Sequence, residues 1–287
     1  MTITSIDGIA NAILNNSSRI VIDKSSIASL AAGQSYSLWR ATGQPAQAAI
    51  PTSAAIPTSA TTGAIGFTNQ TSPATSYLGI LTLLSSNSAM TLEVHDRVAH
   101  YGGLVLNSTS AQNLTGMNVD ASNLNLGADR RGDANFSDLQ WWLEVYSDGG
   151  ATASNATINA KFNDDTDANL NVQAVGGTLR AGRLIPLTPL IATGQQGKFI
   201  KGINSVTLSA STGTAGNFGF TATRPRATGL DLPLANKAER FKWLDLSGAE
   251  VANDSCLMLL GVTSTTSSGT LRGGGALRAH SSATRRR

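Results

Sequence analysis

Groups able to do chemistry are scarce in this chain. It holds three histidines (His95, His100 and His280) and one cysteine, Cys256. His95 and Asp96 are neighbours, so on a strand their side chains point to opposite faces and cannot form a dyad without a bulge. Serine is abundant, yet no G-x-S-x-G elbow presents one as a nucleophile. The chain is therefore read as non-enzymatic, with no catalytic, cofactor-binding or metal-binding residue assigned. Cys256 lies in Ser-Cys-Leu-Met-Leu-Leu, which marks it as a small buried hydrophobe. Standing alone, it excludes an intramolecular disulfide and any multi-cysteine metal site.

Other patterns invite a chemical reading and are better read as turns. Asn163-Asp-Asp-Thr-Asp-Ala-Asn169 places Asp164, Asp165 and Asp167 close together, as an oxygen-rich calcium loop would. The late bidentate glutamate is missing and the cluster follows a strand, so an exposed turn is expected. Gly213-Thr-Ala-Gly-Asn-Phe-Gly219 looks like a phosphate loop, but both flanks alternate as strands and no helix N-terminus faces the anion. Arg131-Gly-Asp133 is taken as a chance triplet in a polar loop. The Asn-x-Ser/Thr triplets at Asn107 and Asn155 follow from composition, with no signal peptide to make them glycosylation sites. Trp141 and Trp142 must face opposite sides of one strand, one in the core and the other in a second layer or an interface.

The elements that position these residues are strands. Val206, Leu208 and Ala210 alternate with polar residues, a Gly/Thr/Asn break follows, and Phe218, Phe220 and Ala222 resume the alternation. Two apolar alternations around a glycine-rich break predict a β-hairpin. The same plan recurs at 78–98 and 257–277. Strands are expected at 77–84, 89–95, 139–147, 156–162, 184–191, 205–211, 218–223, 257–263 and 270–277, with a turn of helix near Ala238. These predict an all-β fold, an antiparallel β-sandwich of jelly-roll type. Residues 102–136 are read as a polar surface loop and candidate binding rim.

The N-terminal part reads differently. Ile6, Ile9, Ala10, Ile13 and Leu14 fall at helical spacing, and a second short helix is expected after Asp23, using Ile27, Leu30 and Ala31 and ending at Gly33. Ile50-Pro-Thr-Ser-Ala-Ala is followed at once by Ile56-Pro-Thr-Ser-Ala, and proline favours extended geometry. Residues 42–64 are expected to form an extended arm reaching a neighbouring subunit. Ile6, Ile9, Ile13, Trp39, Ile50, Pro51, Ile56 and Pro57 are the candidate interface residues. The division is residues 1–71 as helices and arm, 72–280 as sandwich, and 281–287 as a basic tail.

Charged residues make up only 14% of the 287, against about 25% in ordinary globular domains. Such a surface suits packing against other copies or subunits. The net charge of +3 is too small to predict nucleic-acid binding by the whole fold. No acidic residue follows Asp254, while Arg285, Arg286 and Arg287 end the chain, so any contact with nucleic acid or an acidic surface is assigned to that tail. No run reaches the ~18 apolar residues of a membrane span, and no leader is recognisable, so the chain is read as soluble and unprocessed.

Six segments carry a resemblance: Ser37-Leu-Trp-Arg-Ala-Thr-Gly-Gln-Pro45, Val94-His-Asp-Arg-Val-Ala-His100, Gln140-Trp-Trp-Leu-Glu-Val-Tyr146, Ala181-Gly-Arg-Leu-Ile-Pro186, residues 205–219, and Asp254-Ser-Cys-Leu-Met258. Together they resemble a group of structural proteins of tailed bacteriophages encoded among the head genes. The resemblance implies a virion component made in the host cytoplasm: a head decoration (cement) or minor capsid protein on the outer capsid surface. Its implied partners are the major capsid protein and further copies of itself, as a homotrimer. A head-fibre or tail-associated module that binds host-surface glycans through residues 102–136 is the alternative.

Overall fold

The chain is all-β, an antiparallel sandwich whose every strand pairing is antiparallel. The structure is a computed structural model and describes residues 17–71, 74–87, 89–120, 123–177 and 179–281. Three sheets build it. The long sheet runs β11 (Leu184–Pro186), β7 (Gln140–Ser147), β13 (Asn217–Leu232), β5 (Met90–Leu104), β16 (Leu257–Thr263) and β2 (Ser35–Ser37). A terminal sheet runs β14 (Glu239–Lys242), β4 (Ala74–Ser85), β17 (Leu271–Ser281), β1 (Ser17–Lys24) and β3 (Gly43–Gln44), with β15 (Glu250–Val251) also on β4. A middle sheet runs β10 (Gln173–Ala174), β8 (Asn155–Phe162), β12 (Ile200–Leu208) and β6 (Gln112–Asn113), with β9 (Asp167–Asn169) on β8.

One layer is the long sheet, and the facing layer is divided between the other two. Alternation along β5 places Leu92, Val94, Asp96 and Val98 on one face. Leu92 and Val94 join the core with the terminal sheet, beside Leu81, Leu83, Ile20 and Ile22. Val98 and Ala99 join the core with the middle sheet, beside Trp141, Phe218, Phe220, Ile158 and Phe162. The 15-residue β5 and 16-residue β13 therefore serve two cores end to end. The opposite face of the long sheet carries a third cluster: Trp142, Tyr146, Met258 and Leu260 under Trp39, Ala48 and Ala64.

All nine expected strand positions overlap strands, although 184–191 is strand only over Leu184–Pro186 and turns into a 3-10 helix at Thr188–Leu190; the three expected hairpins do not form. β12 and β13, β4 and β5, and β16 and β17 each place their two strands in different sheets. Period-2 alternation fixes which face of a strand is buried; it carries no information on the neighbouring strand. Here each break crosses the core from one layer to the other. Two of the crossings are bonded together at one corner, where Asn87 Nδ2 donates to Ser267 O at 2.6 Å and Ser85 Oγ donates to Ser268 O at 3.2 Å.

The N-terminal part also departs from expectation. No helix follows Asp23. Ile20, Ile22 and Lys24 are buried while Arg19, Val21 and Asp23 are exposed, a period of two, and β1 pairs with β17 from Ser17 to Lys24. Residues 17–71, expected as a separate arm, thus supply β1, β2 and β3 to the sheets. The expected helix through Ile6, Ile9 and Ile13 and the arginine tail lie outside the described residues. Residues 42–64 lie along their own chain, without helix and ending in turns closed by Thr61 N–H to Thr58 O and Ala64 N–H to Thr61 O: Ala55 and His100 exchange N–H···O bonds of 3.1 Å, and Ile65 N–H donates to Leu257 O at 2.8 Å. The segment continues the long sheet beside β5 where β16 ends. Near Ala238 there is no helix; residues 239–242 form β14.

Ile22 is 1% exposed and Val21 58%. Truncating Ile22 to alanine is expected to lower stability in urea unfolding by about 2–4 kcal/mol, the range for a buried aliphatic cavity. Val21→Ala is expected to cost under about 0.5 kcal/mol, as exposed surface changes do.

Candidate functional site

Of the groups singled out by the sequence, His95, His100 and Cys256 lie in the long sheet or at its edge and are buried there, among ionisable residues that were not singled out. Arg97 is fully enclosed, and its Nη1 lies 2.7 Å from Glu144 Oε2, whose side chain is 1% exposed. Its Nε donates to His100 Nδ1 at 3.0 Å, its Nη2 to Tyr146 Oη at 2.9 Å, and its guanidinium stacks 4.6 Å from the Trp39 ring centroid. β7 and β5 flank β13, so the pair spans two interstrand spacings, about 9.5 Å. Thr221 of β13 lies beneath, its hydroxyl donating to Glu144 Oε2 at 2.5 Å. Glu144 Oε1 has no hydrogen-bond partner. Burial opposes the Arg97 charge and Glu144 outweighs it, leaving the guanidinium above its ordinary value. Burial, followed by repulsion from Arg97, pulls His100 down to about 2, so its imidazole is neutral.

His95 has a partner that the search for sequence neighbours passed over. Residues two apart on a strand share a face, and Glu93 Oε2 lies 2.7 Å from His95 Nε2. The other ring nitrogen lies 3.0 Å from Thr223 Oγ1, which accepts from Trp142 Nε1 at 2.9 Å. Glu93, His95 and Thr223 thus form an acid–imidazole–hydroxyl chain, but His95 and Thr223 are both 0% exposed. A nucleophile needs room for an electrophile. What this chain of bonds can do is orient one strand on the next.

Asp96 faces the other way, into the gap between the two cores. Its oxygens accept from Arg130 Nε and Nη2 at 3.0 and 2.7 Å, and Asp96 Oδ1 also accepts from the Cys256 N–H at 2.7 Å. Arg130 belongs to α1 (Ala128–Arg131), a single helical turn. Beside it Arg224 of β13 donates to Asp138 Oδ2 at 2.9 Å and to Asp129 O at 2.9 Å. The signal for this polar seam was legible as Val-His-Asp-Arg-Val, three consecutive ionisable residues between valines inside a strand. Buried charges must be paired, so such a run predicts partners even when it does not name them.

The remaining sequence candidates are accounted for one by one. Asp164, Asp165 and Asp167 are held by three different lysines, Lys198 at 2.7 Å, Lys201 at 2.5 Å and Lys161 at 3.1 Å. The Lys198 and Thr166 hydrogen bonds bring Asp164 down to about 2. The cluster is a set of salt bridges closing the end of β8. Arg131 stacks on Phe136 at 5.5 Å, and Asp133 Oδ2 accepts from the Ser137 hydroxyl at 2.6 Å, so the triplet is folded into its own loop. Gly219 ends the glycine-rich stretch within β13, where a Cβ would lie 1.8 Å from Tyr101 O; it is there for close strand approach. Trp141 and Trp142 are both core, on opposite faces. Cys256 is buried, which pushes its thiol up to about 12.

Two expectations about surfaces change. Residues 102–136 were expected as an open rim, yet Leu106, Leu114, Met117, Val119, Leu126 and Phe136 are all buried in the core with the middle sheet. Single apolar residues at irregular spacing carry no period to announce them. Of the candidate interface residues, Trp39 is 1% exposed and Pro57 is buried, so the chain itself covers them; Ile50, Pro51 and Ile56 are half-buried. Ile6, Ile9 and Ile13 lie outside the described residues. No helix of the described residues is long and apolar enough to cross a membrane.

No family model and no curated protein matches this chain. Among solved structures, the VP2 subviral particle of infectious bursal disease virus is 14% identical, with a TM-score of 0.18 over 92% of this chain and 79% of that one. A mutant VP2 of the same virus in derived particles is 12% identical, with a TM-score of 0.17 over 92% and 77%. Similarity at this level carries no argument for this chain.

Removing one member of the Arg97–Glu144 pair leaves a buried charge. Arg97→Met and Glu144→Leu are each expected to cost about 3–5 kcal/mol in urea unfolding, while the double variant recovers most of the loss. His100 adds a pH dependence. Its folded value lies below that of the unfolded chain, so the unfolded state binds the proton first and stability falls as pH drops below about 6.5. His100→Asn, which keeps an acceptor for Arg97, is expected to flatten that fall.

Proposed function

We propose that this chain is a non-enzymatic structural protein of a virion, a decoration or cement protein that binds the outer head surface and stabilises the joints between capsomers. The observation that supports it most is how the ionisable groups at the centre of the long sheet are spent. Arg97, Glu144, Asp96, Arg130 and His100 are buried and bonded to one another, His95 is buried and bonded to Glu93 and Thr223, and together they join three strands of the long sheet to a helical turn and to the cover over its outer face. A group locked this way resists deformation and offers no reacting atom to a substrate. The resemblance to phage head proteins across six segments, and the charged fraction of 14%, favour a molecule that works against neighbouring subunits.

The glycan-binding alternative loses support. A sugar-binding rim displays aromatic faces, and the sole aromatic residue of 102–136 is Phe136, which is 6% exposed and lies under Arg131.

The folded-back arm changes how the proposal is tested. Deleting residues 1–64 would remove β1, β2 and β3, so loss of capsid binding by that variant would report unfolding. Particle reconstructions with and without the protein avoid this. Density on the outer head surface at capsomer joints, missing when the protein is missing, is the expected result; a position in the tail, or absence from particles, refutes it. In native mass spectrometry the expected mass is three times the 29.6 kDa chain.

A further inference from the structure

Beside the polar seam, where β13, α1, β15 and the start of β4 come together, lies a cavity of about 270 Å³. It is lined by Ser76 at the start of β4, Glu250 of β15, Asn253, Asp129 of α1, and both Arg224 and Arg226 of β13. The two arginines are two residues apart, and they differ in one respect. Arg224 is paired with Asp138. Arg226 is only 7% exposed, donates from Nη1 to Glu250 O at 3.2 Å, and has no hydrogen-bond partner at Nε or Nη2.

Those two nitrogens form one edge of the guanidinium, the edge that takes both oxygens of a carboxylate in parallel hydrogen bonds. The same molecule shows the edge in use: Arg130 holds Asp96 through its own Nε and Nη2 at 3.0 and 2.7 Å. Burial first, and repulsion from Arg224 second, lower Arg226 to about 10, so it remains a cation at neutral pH. A buried cation with two unused donors is costly unless something outside the chain completes it.

We propose that this cavity is a binding site for a ligand carboxylate, gripped by the Nε–H and Nη2–H edge of Arg226. Both nitrogens are shielded from water as the chain stands, so seating the ligand turns the guanidinium toward the cavity it lines, with one hydrogen bond, that to Glu250 O, at stake. The rim selects the kind of anion. Asp129 and Glu250 are exposed at its edge and repel a multiply charged phosphate or a nucleic-acid strand more than a single carboxylate. The site does not depend on the virion role proposed above.

The test is a titration of the whole chain followed by NMR of the arginine Nε–H groups, with the Arg226 signal assigned from Arg226→Met. The probes are sodium acetate, inorganic phosphate and sodium chloride at matched ionic strength. The expected result is a saturating shift of the Arg226 signal with acetate, and a melting temperature that rises with acetate in the parent chain and stays flat in Arg226→Met. That variant should fold as well as the parent, because it removes a cation that the chain leaves unpaired. A linear response shared with chloride, or tighter binding of phosphate than of acetate, would overturn the proposal. So would strong destabilisation of Arg226→Met without ligand, which would mean that the guanidinium is already paired.

Discussion

Two opposite charges, adjacent in sequence, sit in the middle of a buried strand, and the strand geometry sends them to opposite faces. Asp96 must find a cation in the gap between the two cores, and Arg97 must find an anion on the outer face. Neither could stay ionised there alone. The partners come from distant parts of the chain, Arg130 on a helical turn and Glu144 on a strand two places away. Register, layer order and the position of α1 are therefore tied to one dipeptide. A slip of β5 by one residue would place each charge before the wrong partner, so the pair specifies the fold as well as contributing to it.

The outer face depends on the same constraint. Arg97 is enclosed because Trp39 stacks on it and residues 42–64 run over the sheet, bonded to β5 at His100. His100 serves both sides of this arrangement, its ring accepting from Arg97 and its backbone pairing with Ala55. The proline repeat then has a structural account. Extended, donor-poor backbone suits a cover strand that pairs at one residue and otherwise lies on side chains. Its half-buried isoleucines, Ile50 and Ile56, pack against the chain's own core clusters.

What the sequence made legible was local. The alternation in Asn155–Phe162 identifies a strand and its buried face, the apolar run Leu257–Thr263 a strand buried on both, and the tryptophan pair at 141–142 a strand with one ring in the core and the other in a second layer or an interface. Partner choice was not legible. Three adjacent strand pairs switch sheets, because the Ser/Gly-rich breaks that permit a hairpin equally permit a crossing. β1 went unassigned and a helix was expected just after it, since Ile27, Leu30 and Ala31 drew attention from Arg-Ile-Val-Ile-Asp before them, a clean period of two. The polar seam was visible as an anomaly, and its pairing required coordinates. His95 shows the limit: its carboxylate was sought at i+1, where the backbone forbids it, and stood at i−2, where the pleat provides it.

The seam also carries a charge balance that the fold does not close by itself. Arg97, Arg130 and Arg224 each meet a carboxylate of their own, Glu144, Asp96 and Asp138. Arg226 meets a backbone carbonyl alone. A methionine at that position would fill similar volume without desolvating a cation, so packing does not explain the arginine. Arg226 is a buried arginine with no carboxylate hydrogen-bond partner, and it stands beside a cavity with acidic groups held at the edge, where something external can complete it. That is the arrangement expected of a binding residue, and it is unlike that of Arg97, which nothing outside the chain can reach.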